Sequence, residues 1–543
     1  MERKRIFMIS ALMAMAVMLT QAQEVEVPLR FDFYYSYEKM NEALRALNKA
    51  YPELTRLDEV GRSEEGRIIW ALTINNMKTG EALSKPGVYV DGNIHGNEIQ
   101  AGEVCLYLAN RLLTNYGKIN EITEVVDRNT FYIIPVVNVD GRAHFFEDAN
   151  TPSSNRGLRI PVDDDRDGLF DEDGPDDIDG DGSITTMRIR DTLGRFRTDP
   201  SDPRLMISVK PGEKGEWTRL GQEGIDNDGD GQVNEDSEGY VDGNRNWGFN
   251  WNPPYVQRGA GNYPFEGTGI KAIAEWMLAR PNIILVFAFH NSGGMYLRGP
   301  SFKGAGELPQ GDISVYDYLG KNIEKIVPGY KYLISWKDLY STYGDFTDFT
   351  DNLVGAYSFV GELFQVNTET FDGTTARKSE ERSRFGEASE GERQRLLFDD
   401  NVNQGELFKE WKPYKHPLYG DIEIGGWTKM STRLPHPFML QDLVHRNASS
   451  VIFAAKHTPK ITVDVFEVKK LGSDLWSVRV RLVNIGAMPS VTYATIKNKW
   501  YPIDKLSVTG RSIKVVGGGV LTDPWMNLVD YKEHRPEVQM CQV

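Results

Sequence analysis

Two apolar runs, Gly87-Val88-Tyr89-Val90 and Ile283 to Phe289, constrain this chain more than any other feature. A strand with one wet face alternates apolar and polar residues. A strand without alternation has to be covered on both faces, as in a parallel sheet between helix layers. Each run stops on polar groups: Asp91-Gly92-Asn93-Ile94-His95 follows the first and His290-Asn291-Ser292 the second. In open α/β sheets, ligand sites lie beyond the carboxyl ends of the strands.

The surrounding pattern agrees. Residues 37–50 put Met40, Leu44 and Leu47 on one helical face, and 101–113 form a second amphipathic helix. Ile69–Ile74 and Phe131–Val137 read as strands, and a helix over 269–280 is stopped by Pro281. From Phe31 to about Thr458 this alternation predicts one α/β domain. Two stretches interrupt it: an Asp- and Gly-rich insert over 160–236, and a polar, charged excursion over 367–406 that reads as helical or mobile. After Pro459 the pattern becomes strict alternation through Ile461, Val463, Val465, Trp476, Val478, Val480 and Leu482, with turns at Gly472 and Gly486. That predicts a small β-sandwich domain over 459–543. A chain of 543 residues is too long for a single core, so more than one domain is expected.

Composition narrows the function. With 62 basic against 78 acidic side chains, net −16, the chain has no excess of positive charge to neutralise phosphates, so no nucleic-acid partner is expected. Cys105 and Cys541 are too few for a disulfide framework. Arg3, Lys4 and Arg5 precede an apolar run from Ile6 to Leu19, and Thr20-Gln21-Ala22 supplies the small residues of a cleavage site. That run is about 14 residues, short of the ~20 that span a bilayer, so 1–22 reads as a secretory signal peptide. The mature chain is expected to be exported, periplasmic or extracellular, without a membrane span, and monomeric.

His95 and Glu98, three apart in the Gly-rich turn after the first run, are two good ligands for a borderline ion. Such a pair alone is weak. Joined by His290 from the end of the second run, it gives two imidazoles and a carboxylate, leaving the open fourth position that catalytic zinc requires.

These residues resemble the zinc carboxypeptidases of the carboxypeptidase A type. The resemblance covers roughly 35–365, broken by the acidic insert, and extends to the helix near 445–456. Gly92-Asn93-Ile94-His95-Gly96-Asn97-Glu98 matches the first ligand motif, and His290 matches the third ligand. Val241-Asp242-Gly243-Asn244-Arg245-Asn246-Trp247 matches the carboxylate-docking segment, and Tyr357 to Leu363 the segment bearing the catalytic Glu362. Tyr340, 22 residues before Glu362, fits the mobile tyrosine that caps the substrate.

The resemblance implies a mixed, mostly parallel twisted sheet flanked by helices, one zinc ion on His95, Glu98 and His290, and peptide or protein C-termini as substrate. Zinc there would bring the pKa of its bound water from 15.7 towards about 7, with Glu362 as general base and then general acid. Asn244 and Arg245 would dock the terminal carboxylate, the guanidinium as a bidentate fork. For the cation beside the oxyanion, Arg159 is the better match and Arg156 the alternative. Thr347 corresponds to the base of the side-chain pocket. Asp345 nearby could attract Lys or Arg, but Gly344-Asp345 is equally a turn, so basic and mixed or apolar preferences stay open.

Three acidic loops share the D-x-D-x-D-G alternation of calcium sites: Asp163, Asp165 and Asp167; Asp177, Asp179 and Asp181; Asp226, Asp228 and Asp230. All lack the twelfth-position Glu of a helix-loop-helix hand, having Gly174, Arg188 and Ser237 there, and a solvated acidic loop is the plainer alternative. Two rival functions remain: a metallo-amidase acting on cell-wall stem peptides, and a calcium-organised surface binding protein with an inert core.

Overall fold

The computed structural model describes residues 27–163, 168–236, 239, 241–364, 390–431, 433–499 and 503–541. The signal segment 1–22, Asp165 and Asp167 lie outside the described residues.

Along the chain come β1 (Thr55–Arg62), β2 (Ile68–Ile74), β3 (Gly87–Gly92) and β4 (Thr130–Ile134). The Asp-rich stretch supplies β5 (Thr186–Arg190), β6 (Phe196–Thr198), β7 (Met206–Ser208) and β8 (Trp217–Gln222). Next are β9 (Ile283–Asn291), β10 (Met295–Arg298), β11 (Lys331–Ile334) and β12 (Tyr357–Leu363), then β13 (Phe408–His416) and β14 (Gly420–Trp427). The helices used below are α1 (Tyr37–Ala50), α2 (Gln100–Asn115), α3 (Asn120–Arg128), α4 (Val139–Glu147), α5 (Thr268–Leu278), α6 (Gln310–Ile326), α7 (Phe346–Phe349), α8 (Glu390–Asn401) and α9 (Pro437–Ala455).

Eight strands make the main sheet, in the order β1-β2-β4-β3-β9-β12-β10-β11. Its centre, β4-β3-β9-β12, is parallel, while β1, β2 and the β10–β12 pairing are antiparallel. Every residue of β3, β4 and β9 is buried, as the unbroken apolar runs require. The expected mixed sheet between helices is the architecture found. α1 begins where Ser36 caps it through Lys39 N–H, and it buries Met40, Leu44 and Leu47. β4 stops at Ile134, before Pro135, instead of running on to Val137.

Arg142 on α4 is a fully buried cation. It pairs with Glu103 of α2 at 2.5 Å and donates to the carbonyls of Tyr35 and Ile99 and to Asn93 Oδ1. Asn93, at φ +60°, in turn donates to the carbonyls of His95 and Gly96. One buried guanidinium thus fixes the turn after β3.

The Asp-rich stretch and the strands that follow the polar excursion share one sheet. β13 and β14 join β5–β8 in a six-stranded sheet of order β13-β14-β5-β8-β6-β7. Arg188 of β5 bonds Glu423 of β14 at 2.6 Å, and its guanidinium lies about 4 Å from the ring centres of both Trp217 and Trp411. Part of the 367–406 stretch is helical: in α8, Asp399 accepts from the N–H groups of Leu407 and Phe408 and so aims the chain into β13.

The C-terminal stretch is β-rich, but not a sandwich. β15 (Ile461–Lys470) pairs β16 (Trp476–Asn484), β17 (Asp504–Ser507) pairs β20 (Val538–Cys541), and β18 (Gly519–Asp523) pairs β19 (Leu528–Tyr531), as three separate two-stranded sheets. Val463 and Trp476 are more than half exposed, so the alternation is real without the opposing sheet it suggested. What docks on the main domain is α10 (Tyr493–Asn498): Asp312 of α6 accepts from the N–H groups of Tyr493 and Ala494, and Met488 is buried in the main core.

Removing one partner of a buried ion pair costs about 3–5 kcal/mol. Arg142→Met is expected to lower unfolding free energy by that amount in denaturant titrations; a loss below about 1 kcal/mol would show that the turn is held by other contacts.

Candidate metal centre

The β3–α2 turn, the end of β9 and the end of β12 meet at one edge of the sheet. Gly96 lets that turn pack against α4 and the segment leading to Arg156: a Cβ there would lie 2.2 Å from the Asn155 carbonyl oxygen and 2.5 Å from Gly141 Cα. His95 Nδ1 lies 3.0 Å from Glu98 Oε1, and His290 Nδ1 lies 3.2 Å from Glu98 Oε2. The two Nδ1 atoms are 3.3 Å apart, and His95, Glu98 and His290 are each at most 3% exposed. The ligand atoms of the three residues all fall within 4.8 Å of one another. On its other side, His95 Nε2 meets Asp242 Oδ1 at 3.0 Å. A proton on Nε2 shared with Asp242 leaves the Nδ1 lone pair facing inward, the outer-shell arrangement of metal-binding histidines. Two inward imidazole nitrogens and one carboxylate fit zinc.

Glu362 is placed by the sheet itself. It is the register partner of His290 in the parallel β9–β12 ladder. Burial pushes its pKa up to about 7, with Glu98 adding to the rise and His290, Arg156 and Arg433 opposing it. Glu98 behaves in the opposite way: burial favours its neutral form, but His95 and His290 hold it well below the usual carboxylate range. Two neighbouring carboxyls are therefore pushed in opposite directions by their surroundings.

The structure corrects one assignment. Arg156, not Arg159, faces the cluster: its Nη1 lies 3.0 Å from Glu98 Oε1 and its Nη2 lies 3.4 Å from Asp242 Oδ2. Against burial, Asp242, Glu98 and Glu362 keep Arg156 charged. Arg159 instead lies 3.9 Å from both Glu65 and Asp148. Leu158 forms a β-bridge with Val241, which turns the side chains at 156 and 159 to different neighbours.

Asn244 Oδ1 accepts from Phe346 N–H at 2.9 Å, and Arg245 donates to the Asn244 carbonyl at 2.6 Å. The facing loop comes close because Gly344, at φ +64°, has no side chain; a Cβ would meet the Arg245 carbonyl oxygen at 2.5 Å. Tyr340 is 54% exposed at the rim and near enough to Arg156 to add to its positive charge preference. Thr347 is buried in α7. Asp345 is not free to recruit a cation: its carboxylate caps α7 through Asp348 N–H and accepts from Ser301 and Thr342 hydroxyls.

Sequence reasoning assigned no role to Asp242, although it sits inside the quoted Asp-Gly-Asn-Arg motif, or to Arg433, whose carbonyl is held by Gln100 and Asn291. Of the acidic loops, Asp177 and Asp179 gather with Glu223, while Asp226 and Asp228 gather with Asp173. Asp181 pairs with Lys409 at 3.3 Å, and Asp163 joins no such group among the described residues.

Residues 40–173 match the family model described as zinc carboxypeptidase. The carboxypeptidase D of Homo sapiens is 39% identical over 109 residues, 20% of this chain and 8% of that protein. The carboxypeptidase B of Astacus astacus is 34% identical over 116 residues, 21% of this chain and 36% of that protein. The chain thus spans about a third or less of these relatives. The solved carboxypeptidase A from Helicoverpa armigera aligns with a TM-score of 0.42 at 20% identity, over 66% of this chain and 71% of that one. Residues 460–529 match a domain of unknown function (DUF8731).

For this candidate centre, loss of a ligand and loss of its support are distinguishable. His290→Ala is expected to abolish stoichiometric zinc in elemental analysis, whereas Asp242→Asn is expected to weaken zinc affinity by about 10–100-fold. Equal zinc retention in both would contradict the site.

Proposed function

We propose that the chain is a zinc-dependent exopeptidase that hydrolyses the C-terminal peptide bond of peptides or proteins. The observation that carries this is the convergence of His95 Nδ1, His290 Nδ1 and the Glu98 carboxylate beside Glu362, the register partner of His290. Zinc bound there supplies a Lewis acid that acidifies water and polarises a carbonyl.

The chain's own groups do the rest. Glu362, raised to about 7, takes a proton from the attacking water and returns it to the leaving amine. Arg156 offers fixed positive charge to the oxygen on which charge develops. Asn244 and Arg245 dock the free carboxylate, which limits cleavage to the last residue, and Tyr340 closes over it. An inert binding role is disfavoured by the joint presence of ligands, base and docking pair. The apolar segment before Ala22 supports export of the mature chain. The acidic loops support a separate, structural cation of the calcium class, apart from the hydrolytic centre.

Peptides with free C-termini are expected to lose residues one at a time while their amides survive; equal cleavage of both sinks the exopeptidase reading. Glu362→Gln is expected to reduce kcat by at least about 10²-fold. Arg156→Ala is expected to reduce it by about 10²–10³-fold, and Arg159→Ala by less than about twofold. Comparable losses in the two arginine variants would reverse the assignment.

Glu362 must be ionised to accept a proton, so kcat/KM falls as pH drops through its pKa. That value is about 7 without an ion, and bound positive charge moves it lower. A pH–rate profile is expected to show an acid limb at or below that pH.

A further inference from the structure

Away from the zinc carboxypeptidase centre, the acidic insert folds back on itself and brings five carboxylates together. One oxygen each of Asp173, Asp226 and Asp228 lie within 4.8 Å of one another, and so do those of Asp228, Asp230 and Glu235. Asp228 belongs to both groups. Oxygens on opposite sides of a calcium ion, each bound at about 2.3–2.6 Å, are about 5 Å apart, which is the span of these groups.

An acidic cluster alone would be an ordinary solvated surface. Here Asp173 is 1% exposed, and its Oδ2 has no hydrogen-bond partner. Both carboxylate oxygens of Glu235 are also buried without a partner. The Asp173 and Glu235 carboxyls lie against each other, and the one side-chain amide donor reaching Asp173 is Asn227 Nδ2, 3.3 Å from Oδ1 and so leaving Oδ2 open. Among the described residues no cationic side chain pairs with any of the five, whereas in the neighbouring loop Lys409 reaches Asp181 at 3.3 Å. Carboxyls buried against each other either share a proton or, to stay ionised together, take a cation.

The position of the cluster matters as much as its composition. The insert leaves the main fold just after Arg156 and returns at Asp242, with Leu158 and Val241 bridged at its neck. Asp173 lies on the outgoing arm and 226–236 on the returning arm, joined by Asp236 N–H to the Asp173 carbonyl at 3.1 Å. We propose that Asp173, Asp226, Asp228, Asp230 and Glu235 hold one calcium-class divalent cation that staples the two arms of the insert together. This rests on reading the acidic loops as cation-binding, and adds that the site is composite: Asp173 and Glu235 lie outside every D-x-D-x-D core.

The test uses the full mature chain, freed of calcium with EGTA and titrated with calcium chloride by calorimetry and thermal melting. Calcium is expected to bind and raise Tm. Asp173→Asn and Glu235→Gln should each lower that affinity at least tenfold while keeping or raising the calcium-free Tm, because one repelling charge is gone. Asp177→Asn should leave this site's affinity unchanged, and zinc content should be equal in all variants. A wild-type chain indifferent to calcium overturns both the loop reading and the staple. Wild-type affinity in Asp173→Asn and Glu235→Gln, with loss in Asp228→Asn, overturns the composite site alone. Either result leaves the exopeptidase reading untouched.

Discussion

Burial of the central strands on both faces governs what this fold can do with its polar groups. β3, β4 and β9 leave no wet face, so ionisable side chains can sit only where strands end. β9 and β12 run parallel and in register, which makes Glu362 the neighbour of His290 through the backbone ladder itself. A slip of one residue would point Glu362 into the opposite layer. Gly361 helps to hold that register, since a Cβ there would lie 2.8 Å from the Phe289 ring. The spacing between a metal ligand and the proton-carrying carboxylate is therefore set by main-chain hydrogen bonds.

Within that frame, one desolvation penalty gives different results at three carboxylates. Burial favours the neutral form of Glu98, Asp242 and Glu362 alike. Glu98 is compensated by two imidazoles, and Asp242 by His95, Arg245 and Arg156, so both stay well below the usual range. Glu362 receives less positive charge and has Glu98 as a like-charged neighbour, so burial prevails and it rises to about 7. Environment separates charge holders from a proton carrier without any change in side-chain type.

Much of this was legible in the sequence because it is written locally. The helix over 37–50 is found residue for residue, since its apolar face and its Ser36 cap both lie within the segment. The unbroken strands and their polar ends marked His95, Glu98 and His290. What was not legible depended on partners far along the chain. Arg159 was the better match on paper, yet in the fold Arg156 faces Glu98, on the near side of the bridge between Leu158 and Val241. The polar excursion after 367 gave no hint that strands following it complete a sheet begun at Thr186. Alternation after Pro459 reports strands with two unlike faces, but not what covers them, and so suggested a sandwich where separate ribbons stand.

The long insert also explains how a site can tolerate an interruption between two of its parts. Loop-closure entropy grows only as the logarithm of length, each doubling costing about 0.6 kcal/mol, so a long excursion adds little over a short one. What matters is that the ends stay close, and the Leu158–Val241 bridge closes them beside Arg156 and Asp242. Beyond the neck, the excursion rests on its own sheet, where Arg188 is held by Glu423 and sandwiched by Trp217 and Trp411. Arg156 and Asp242 can then keep a contact of 3.4 Å although they lie 86 residues apart.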